Sequence, residues 1–206
     1  MIRMKLDHLV VSAKTLEEAS SYIEETLQVK LEEGGKHKFF GTHNNLLGLA
    51  DGLYLEALAI DPTAVPKVQP RWFDLDSFIG IPRLNNWVCQ VDNLSESLKK
   101  MPHEVGRIIS MKRGMLKWKM AVTNNGVLPY DGAFPSLIQW QSKNHPFSKL
   151  GYSGCQLKRL TIIHPDADEL LDLLSFYSNN IISIEKGAVS QLIAEIQTSH
   201  GPKILK

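Results

Sequence analysis

The sequence predicts an α+β fold assembled from a repeated β-α-β-β-β unit, and three observations carry that prediction. The run Leu6 to Ser12 (Leu-Asp-His-Leu-Val-Val-Ser) alternates as a strand does, placing His8 on one face with Leu6, Val10 and Ser12 and sending Asp7, Leu9 and Val11 to the other. The apolar run Leu53 to Ile60 carries a single charged residue, Glu56. Strand, helix and three further strands then recur in the same order, and an ungapped overlay lays residues 6 to 12 on Leu84 to Gln90, with His8 falling on Asn86.

Each element has its own local cause. Thr15 followed by Glu18 has capping-box spacing, and Leu16, Ala19, Tyr22, Ile23 and Leu27 repeat at helical intervals, so a helix is expected over residues 14–26. Val29 to Glu33 reads as a short strand stopped by Gly34-Gly35, Leu46 to Ala50 as the next, and Asp51-Gly52 as the turn before the Glu56 strand. Pro62, Pro66 and Pro70 mark an irregular connection. The pattern resumes with a strand over Asn85 to Asp92, a helix over Leu94 to Met101, and strands over Val105 to Lys112, Leu116 to Val122 and Phe134 to Gln141. A third start follows, with Leu157 to Ile163 as strand, Asp166 to Ser178 as helix, and Ile181 to Glu185 and Gln191 to Gln197 as strands. The expected organisation is a first module over residues 1–62, a connecting segment over 63–83, a second module over 84–145, and a partial third module or C-terminal extension over 146–206.

Composition narrows the class of function. The 23 basic and 22 acidic side chains are spread without long runs, which gives no stripe for nucleic acid and no polybasic patch for a membrane. A small molecule is the expected partner. No window reaches transmembrane length, Lys5, Asp7 and His8 break the early apolar run, and Cys89 and Cys155 have neither metal spacing nor a disulfide framework. A reducing cytoplasm is the expected location.

The residues that carry chemistry are few. A carboxylate in an apolar strand needs a partner, and if the strands of His8 and Glu56 lie side by side, an imidazole and a carboxylate converge where a divalent metal could join them. His43 sits in a polar loop and is a second catalytic candidate, with a turn role as its alternative. Arg71, Trp72 and Phe73 could clamp an anionic, partly apolar ligand or seal one module against the other. In the second module Asn86 and Gln139 stand where His8 and Glu56 stand in the first, and neutral amides orient a ligand better than they hold zinc or nickel. His37 reads as solvated, and His103, His145, His164 and His200 as structural or exposed. No phosphate loop, dinucleotide fingerprint or nucleophile elbow is present.

A repeated β-α-β-β-β unit with a histidine in its first strand and a glutamate in its last resembles the vicinal oxygen chelate superfamily. More narrowly, Leu6 to Val10, Gly41 to Asn45 and Tyr54 to Pro62 resemble the bacterial glyoxalase-like domain proteins. The resemblance implies a cup-shaped, partly open sheet barrel around a divalent ion (zinc, nickel, manganese or iron), with His8 and Glu56 as matching ligands. It implies a metal-dependent lyase, isomerase or dioxygenase acting on a small substrate chelated through adjacent oxygens, with Glu56 and His43 in catalytic roles. It also leaves open a metal-free cup that sequesters a small ligand, walled by Trp72, Phe73, Trp87, Trp118 and Trp140. Closure across a homodimer is a further expectation of the resemblance.

Overall fold

The computed structural model describes residues 4–101, 105–175, 177 and 179–206. The first half of the chain forms β1 (Met4–Ser12), α1 (Leu16–Leu27), β2 (Glu32–His37), β3 (Thr42–Gly48) and β4 (Tyr54–Ile60). The next forms β5 (Arg83–Val91), α2 (Leu94–Leu98), β6 (Arg107–Arg113), β7 (Leu116–Val122) and β8 (Ser136–Trp140). The last forms β9 (Gln156–His164), α3 (Ala167–Leu173), β10 (Ile182–Lys186), β11 (Gln191–Thr198) and β12 (Gly201–Leu205). The expectation for His103 and the end of the third expected helix at Ser178 lie outside the described residues.

Strands β1 to β8 make one strongly curled sheet of order β2-β3-β4-β1-β5-β8-β7-β6, the α+β cup that the strand pattern called for. The order is palindromic about the antiparallel β1/β5 pair, and each of those strands pairs in parallel with the last strand of its own half, β4 or β8. At the other end of each half, β2 and β6 curl toward one another across the mouth. The helix begins as its sequence dictates: the Thr15 side chain accepts from Glu18 N and the Glu18 carboxylate accepts from Thr15 N.

Two apolar clusters lie on the two faces of this sheet. Leu9, Val11, Leu55 and Trp87 face outward, where Ile23 of α1 and Leu160 and Ile196 of a second sheet cover them. Val10, Leu58, Val88, Trp118, Met120 and Ile138 face into the cup. Burying both faces is what lets β1 and β4 be apolar almost throughout. Cys89 and Cys155 are buried, unpaired thiols, and burial pushes the Cys89 thiol far up.

The structure departs from the strand pattern in three places. Residues Gly34 and Gly35 do not stop β2 but run through it, with a register shift between Glu33 and Gly35. Glycine inside a strand marks a bulge or a close approach, and here it is both. In β1, Leu6 pairs with Cys89 and His8 with Val88, leaving Asp7 as an extra residue. Leu6 therefore joins Leu9 and Val11 in the outer cluster, while Asp7 turns to the His8 side, against the strict alternation expected. Third, the order β9-α3-β10-β11-β12 is a complete strand-helix-strand-strand-strand series, but its sheet order is β10-β9-β11-β12, so it is wired differently from the two halves of the cup. The sequence pattern missed β12 because it contains Pro202, which only an edge strand tolerates, and β12 is at the edge.

Candidate active site in the cup

The cup encloses a small cavity, with about 30 Å³ open to the centres of water-sized molecules. That is room for one or two waters, so a ligand of several heavy atoms enters only by displacing side chains of the cup. Around it stand His8, His37, Asn44, Glu56, Tyr54 and Arg113 as polar groups, with Trp72, Phe73, Trp118 and Trp140 as aromatic walls.

The β1/β4 register sets Val10 beside Glu56, so His8 and Glu56 are near neighbours on the inner face. His8 Nε2 stands 3.5 Å from Glu56 Oε2, with both side chains buried. The other His8 nitrogen, Nδ1, donates to Asp7 Oδ1 at 2.6 Å, and the imidazole stacks on the Tyr54 ring with centroids 4.4 Å apart. Asp7 accepts two more bonds, from Trp140 Nε1 at 2.9 Å and from His145 Nε2 at 3.1 Å. Burial works against its charge, but the hydrogen bonds from His145 and His8 prevail and hold the carboxyl well below the usual carboxylate range. His145 accepts at Nδ1 from Phe147 N, which fixes the tautomer that donates to Asp7.

Glu56 is held from the other side. Asn44 Nδ2 donates to Glu56 Oε1 at 2.5 Å, and Asn44 Oδ1 accepts from Gly35 N at 2.8 Å and from Arg113 Nη1 at 3.0 Å. The same Arg113 nitrogen donates to His37 Nε2 at 3.2 Å, while His37 Nδ1 bonds Thr42 Oγ1 at 3.1 Å. Burial first, and then the charge of Arg113, push the His37 pKa down to about 3, so the ring is neutral at ordinary pH and accepts from Arg113. A chain of contacts thus runs from Asp7 through His8, Glu56 and Asn44 to Arg113 and His37.

Gly34 makes the Asn44 position available. A Cβ there would lie 2.1 Å from Asn44 Oδ1 and 2.6 Å from the Asn44 carbonyl oxygen. Gly34→Ala is therefore expected to push β2 off β3 and destabilise the protein by about 1–3 kcal/mol, read from its denaturant midpoint against wild type.

The structure brings together only part of the residue set that the sequence singles out. His8, Glu56, Trp72 and Phe73 meet in the cup, with Trp118 and Trp140. His43 lies on the other face of β3, opposite Ala59 and half-buried, because the cup side of that strand belongs to Thr42, Asn44 and Leu46. Arg71 is turned away and tied to Asp76 by its guanidinium and its backbone N–H. Gln139 also faces outward, bonding the start of α2 through Leu94 N and Asp92 O. Trp87 is in the outer cluster, its indole N–H on the Ala133 carbonyl at 3.0 Å. By register the counterpart of Glu56 is Ser136, opposite Val88 as Glu56 is opposite Val10. Asn86 Nδ2 donates to that Ser136 Oγ at 2.8 Å, a neutral copy of the His8/Glu56 pair, and Asn86 Oδ1 is buried without a partner among the described residues.

Asp7, His37, Asn44, Arg113 and His145 are the site residues that sequence reasoning missed. His37, expected in solvent, is buried beneath Trp72 with ring centroids 5.1 Å apart, and His145, expected to be structural or exposed, is half-buried and touches the site through Asp7. The adjacent Asp7-His8 pair in an apolar run was a signal, but a period-2 strand hid it. The donors available to a metal are His8 Nε2 and Glu56 Oε2. No group of three or more His, Cys, Asp or Glu among the described residues could hold an ion, and Asn86 and Ser136 occupy the counterpart positions. Catalytic metal sites ordinarily draw three protein ligands, so this donor set does not complete one.

A curled eight-stranded cup with a palindromic strand order and a buried His-Glu pair on its inner face defines a protein of the vicinal oxygen chelate class. Residues 6–176 match the family model described as Glyoxalase-like domain, and the chain belongs to that family. Among solved structures it is similar to a hypothetical protein from Staphylococcus aureus, at 18% identity and a TM-score of 0.66 over 92% of this chain and 88% of that one. Methylmalonyl-CoA epimerase from Mycobacterium tuberculosis matches at 14% identity and a TM-score of 0.44 over 68% of this chain and 88% of that one. At 18% identity the likeness to the Staphylococcus aureus protein is one of fold. No curated protein matches the chain. Among the described residues no helix is long and apolar enough to cross a membrane.

Proposed function

We propose that the cup is the active site of a lyase or isomerase that moves a proton at a carbon next to a carbonyl, on a small substrate with adjacent oxygens. The observation that carries this reading is the facing of His8 Nε2 and Glu56 Oε2 at 3.5 Å, with Asp7 behind one and Asn44 behind the other. Two acceptor atoms turned toward each other in a buried site repel unless a positive charge stands between them, so the pair is built to hold a proton. In the proposed cycle Glu56 takes the C–H proton and the electron pair moves onto the carbonyl oxygen as an enolate. His8, its imidazolium stabilised by the ionised Asp7, donates to that oxygen. Glu56 then delivers its proton to the neighbouring carbon while the hydroxyl on that carbon gives its proton to His8 and becomes the new carbonyl, which completes an isomerisation and restores both groups.

The test is exchange of carbon-bound hydrogen in D₂O, followed by NMR over dicarbonyl, hydroxycarbonyl and thiol-adduct compounds. Exchange above the buffer rate that saturates with compound supports the reading. Saturable quenching of tryptophan fluorescence without exchange would replace it with a sequestering protein of the same fold.

A second reading puts a divalent ion in the place of the proton, and the observation favouring it is the Asp7 carboxylate on His8 Nδ1, the arrangement that orients metal-bound histidines. His8 and Glu56 would then be its two protein ligands, one short of the usual three, with the remaining positions left to water or ligand. Metal near one equivalent in protein purified without a histidine tag, lost in both His8→Ala and Glu56→Ala, would favour this reading; binding that survives either change would count against it.

A further inference from the structure

We infer that the cup takes its ligand by a carboxylate, with Arg113 as the residue that receives it; this rests on the cup being the ligand site proposed above. Arg113 ends β6 and reaches across the mouth to β2 and β3, and it is the one permanently charged cation lining the cavity among the described residues. Its bonds to described residues run through Nη1, to His37 Nε2 and Asn44 Oδ1, and both acceptors are neutral. No carboxylate among the described residues lies within ion-pair distance of it. A guanidinium carries five N–H donors in a planar fork that matches a carboxylate in two parallel bonds, so most of its recognition capacity is unspent.

The side chain is also given a prepared bed. A Cβ on Gly35 would come within 3.1 Å of Arg113 Cδ, so the glycine beside the bulge leaves room for the aliphatic stem, while Gly35 N shares with Arg113 the Asn44 oxygen that holds both. Asn44 in turn fixes Glu56 through its other amide atom. One amide side chain therefore sets the distance between the cation and the carboxylate opposite it. A ligand whose carboxylate sits on Arg113 presents its next carbons to Glu56 and His8, against the wall formed by Trp118 and Trp140. The remaining charges in the cup, Asp7 and Glu56, are acidic, which leaves Arg113 as the place where an anion can be received without an uncompensated charge. The ligand class is a small carboxylic acid with a carbonyl or hydroxyl on the adjacent carbon.

The experiment titrates the protein with pyruvate and with its uncharged amide, pyruvamide, and reads the fluorescence of the cup tryptophans. Pyruvate is expected to bind at least about tenfold more tightly than pyruvamide. Arg113→Gln should abolish that preference, and Arg113→Lys, which keeps the charge without the fork, should retain part of it. If Arg113 only clasps β6 to β2, both variants lower the melting temperature but leave the preference for pyruvate intact, and that result overturns the inference. So does equal binding of the two compounds, or no binding of pyruvate up to about 10 mM. Glu56→Gln separates the two readings. Pyruvate binding that persists in this variant and depends on Arg113, with no hydrogen exchange even in wild type, removes the proposed reaction and leaves the carboxylate site. Exchange of neutral carbonyl compounds, unaffected by Arg113→Gln, does the reverse.

Discussion

Glu56→Gln is expected to lower the rate of hydrogen exchange by about 10²–10⁴, the range spanned by the loss of a positioned proton-transfer group. The variant should fold normally. Glutamine keeps the size of the side chain and an oxygen to accept from Asn44 Nδ2, so the bond that anchors position 56 survives while its basicity is lost. Removing one negative charge from the buried cup also relieves desolvation, and the melting temperature is expected to hold or rise. A fall in rate at constant stability assigns the chemistry to Glu56. Full activity in Glu56→Gln would move the base to His8 or out of the cup.

Lowering the pH from 7 to 4.5 is expected to destabilise the wild-type protein strongly, with His37 as the main site of the loss. Its pKa falls from an ordinary 6.5 to about 3 because the ring is buried, beside Arg113 from β6 and within the fields of His8 on β1 and His43 on β3. The unfolded chain binds a proton at this histidine below about pH 6.5, whereas the folded protein refuses it until about pH 3. The stabilising contribution is therefore complete above pH 6.5 and is lost as the pH drops toward 3. Two pH units into that window the loss is about 2–3 kcal/mol, a fall in Tm of roughly 5–10 °C for a chain of this size. His37→Asn retains a donor for Thr42 but cannot titrate, so whatever its starting stability, that stability should change much less over the same interval. Parallel pH profiles for the two proteins would refute the assignment. Asp7 acts lower down: its depressed pKa confers stability that is present above about pH 3.9 and lost only in stronger acid.

The cup was legible in the sequence because each strand and helix announces itself locally. The Thr15/Glu18 box and the strand over Leu116 to Val122 both form as written. What stayed hidden depends on pairing between distant strands. The Asp7 bulge is a property of β1 against β5, and no count along β1 alone reveals it. Gln139 was placed opposite Glu56 by pattern, whereas the β5/β8 register selects Ser136, three residues earlier. Arg113 and His37 are more than seventy residues apart and meet because the two ends of the sheet curl together. His43 and His37 exchanged their expected surroundings for a similar reason: β2 continues through two glycines, and its last residue turns inward.

The neutral pair Asn86 and Ser136 has a consequence for how any substrate must lie. A cup closed by two identical halves would offer the same reactive groups on both sides and could accept a guest in either of two equivalent poses. Here the first half contributes the facing His8 and Glu56, while the second contributes an amide and a hydroxyl bonded to each other and, from β6, the cation Arg113. Duplication within one chain permits that division, because each copy can drift without altering its twin. The outcome is a handed chamber, which presents different groups to the two ends of any small molecule placed in it.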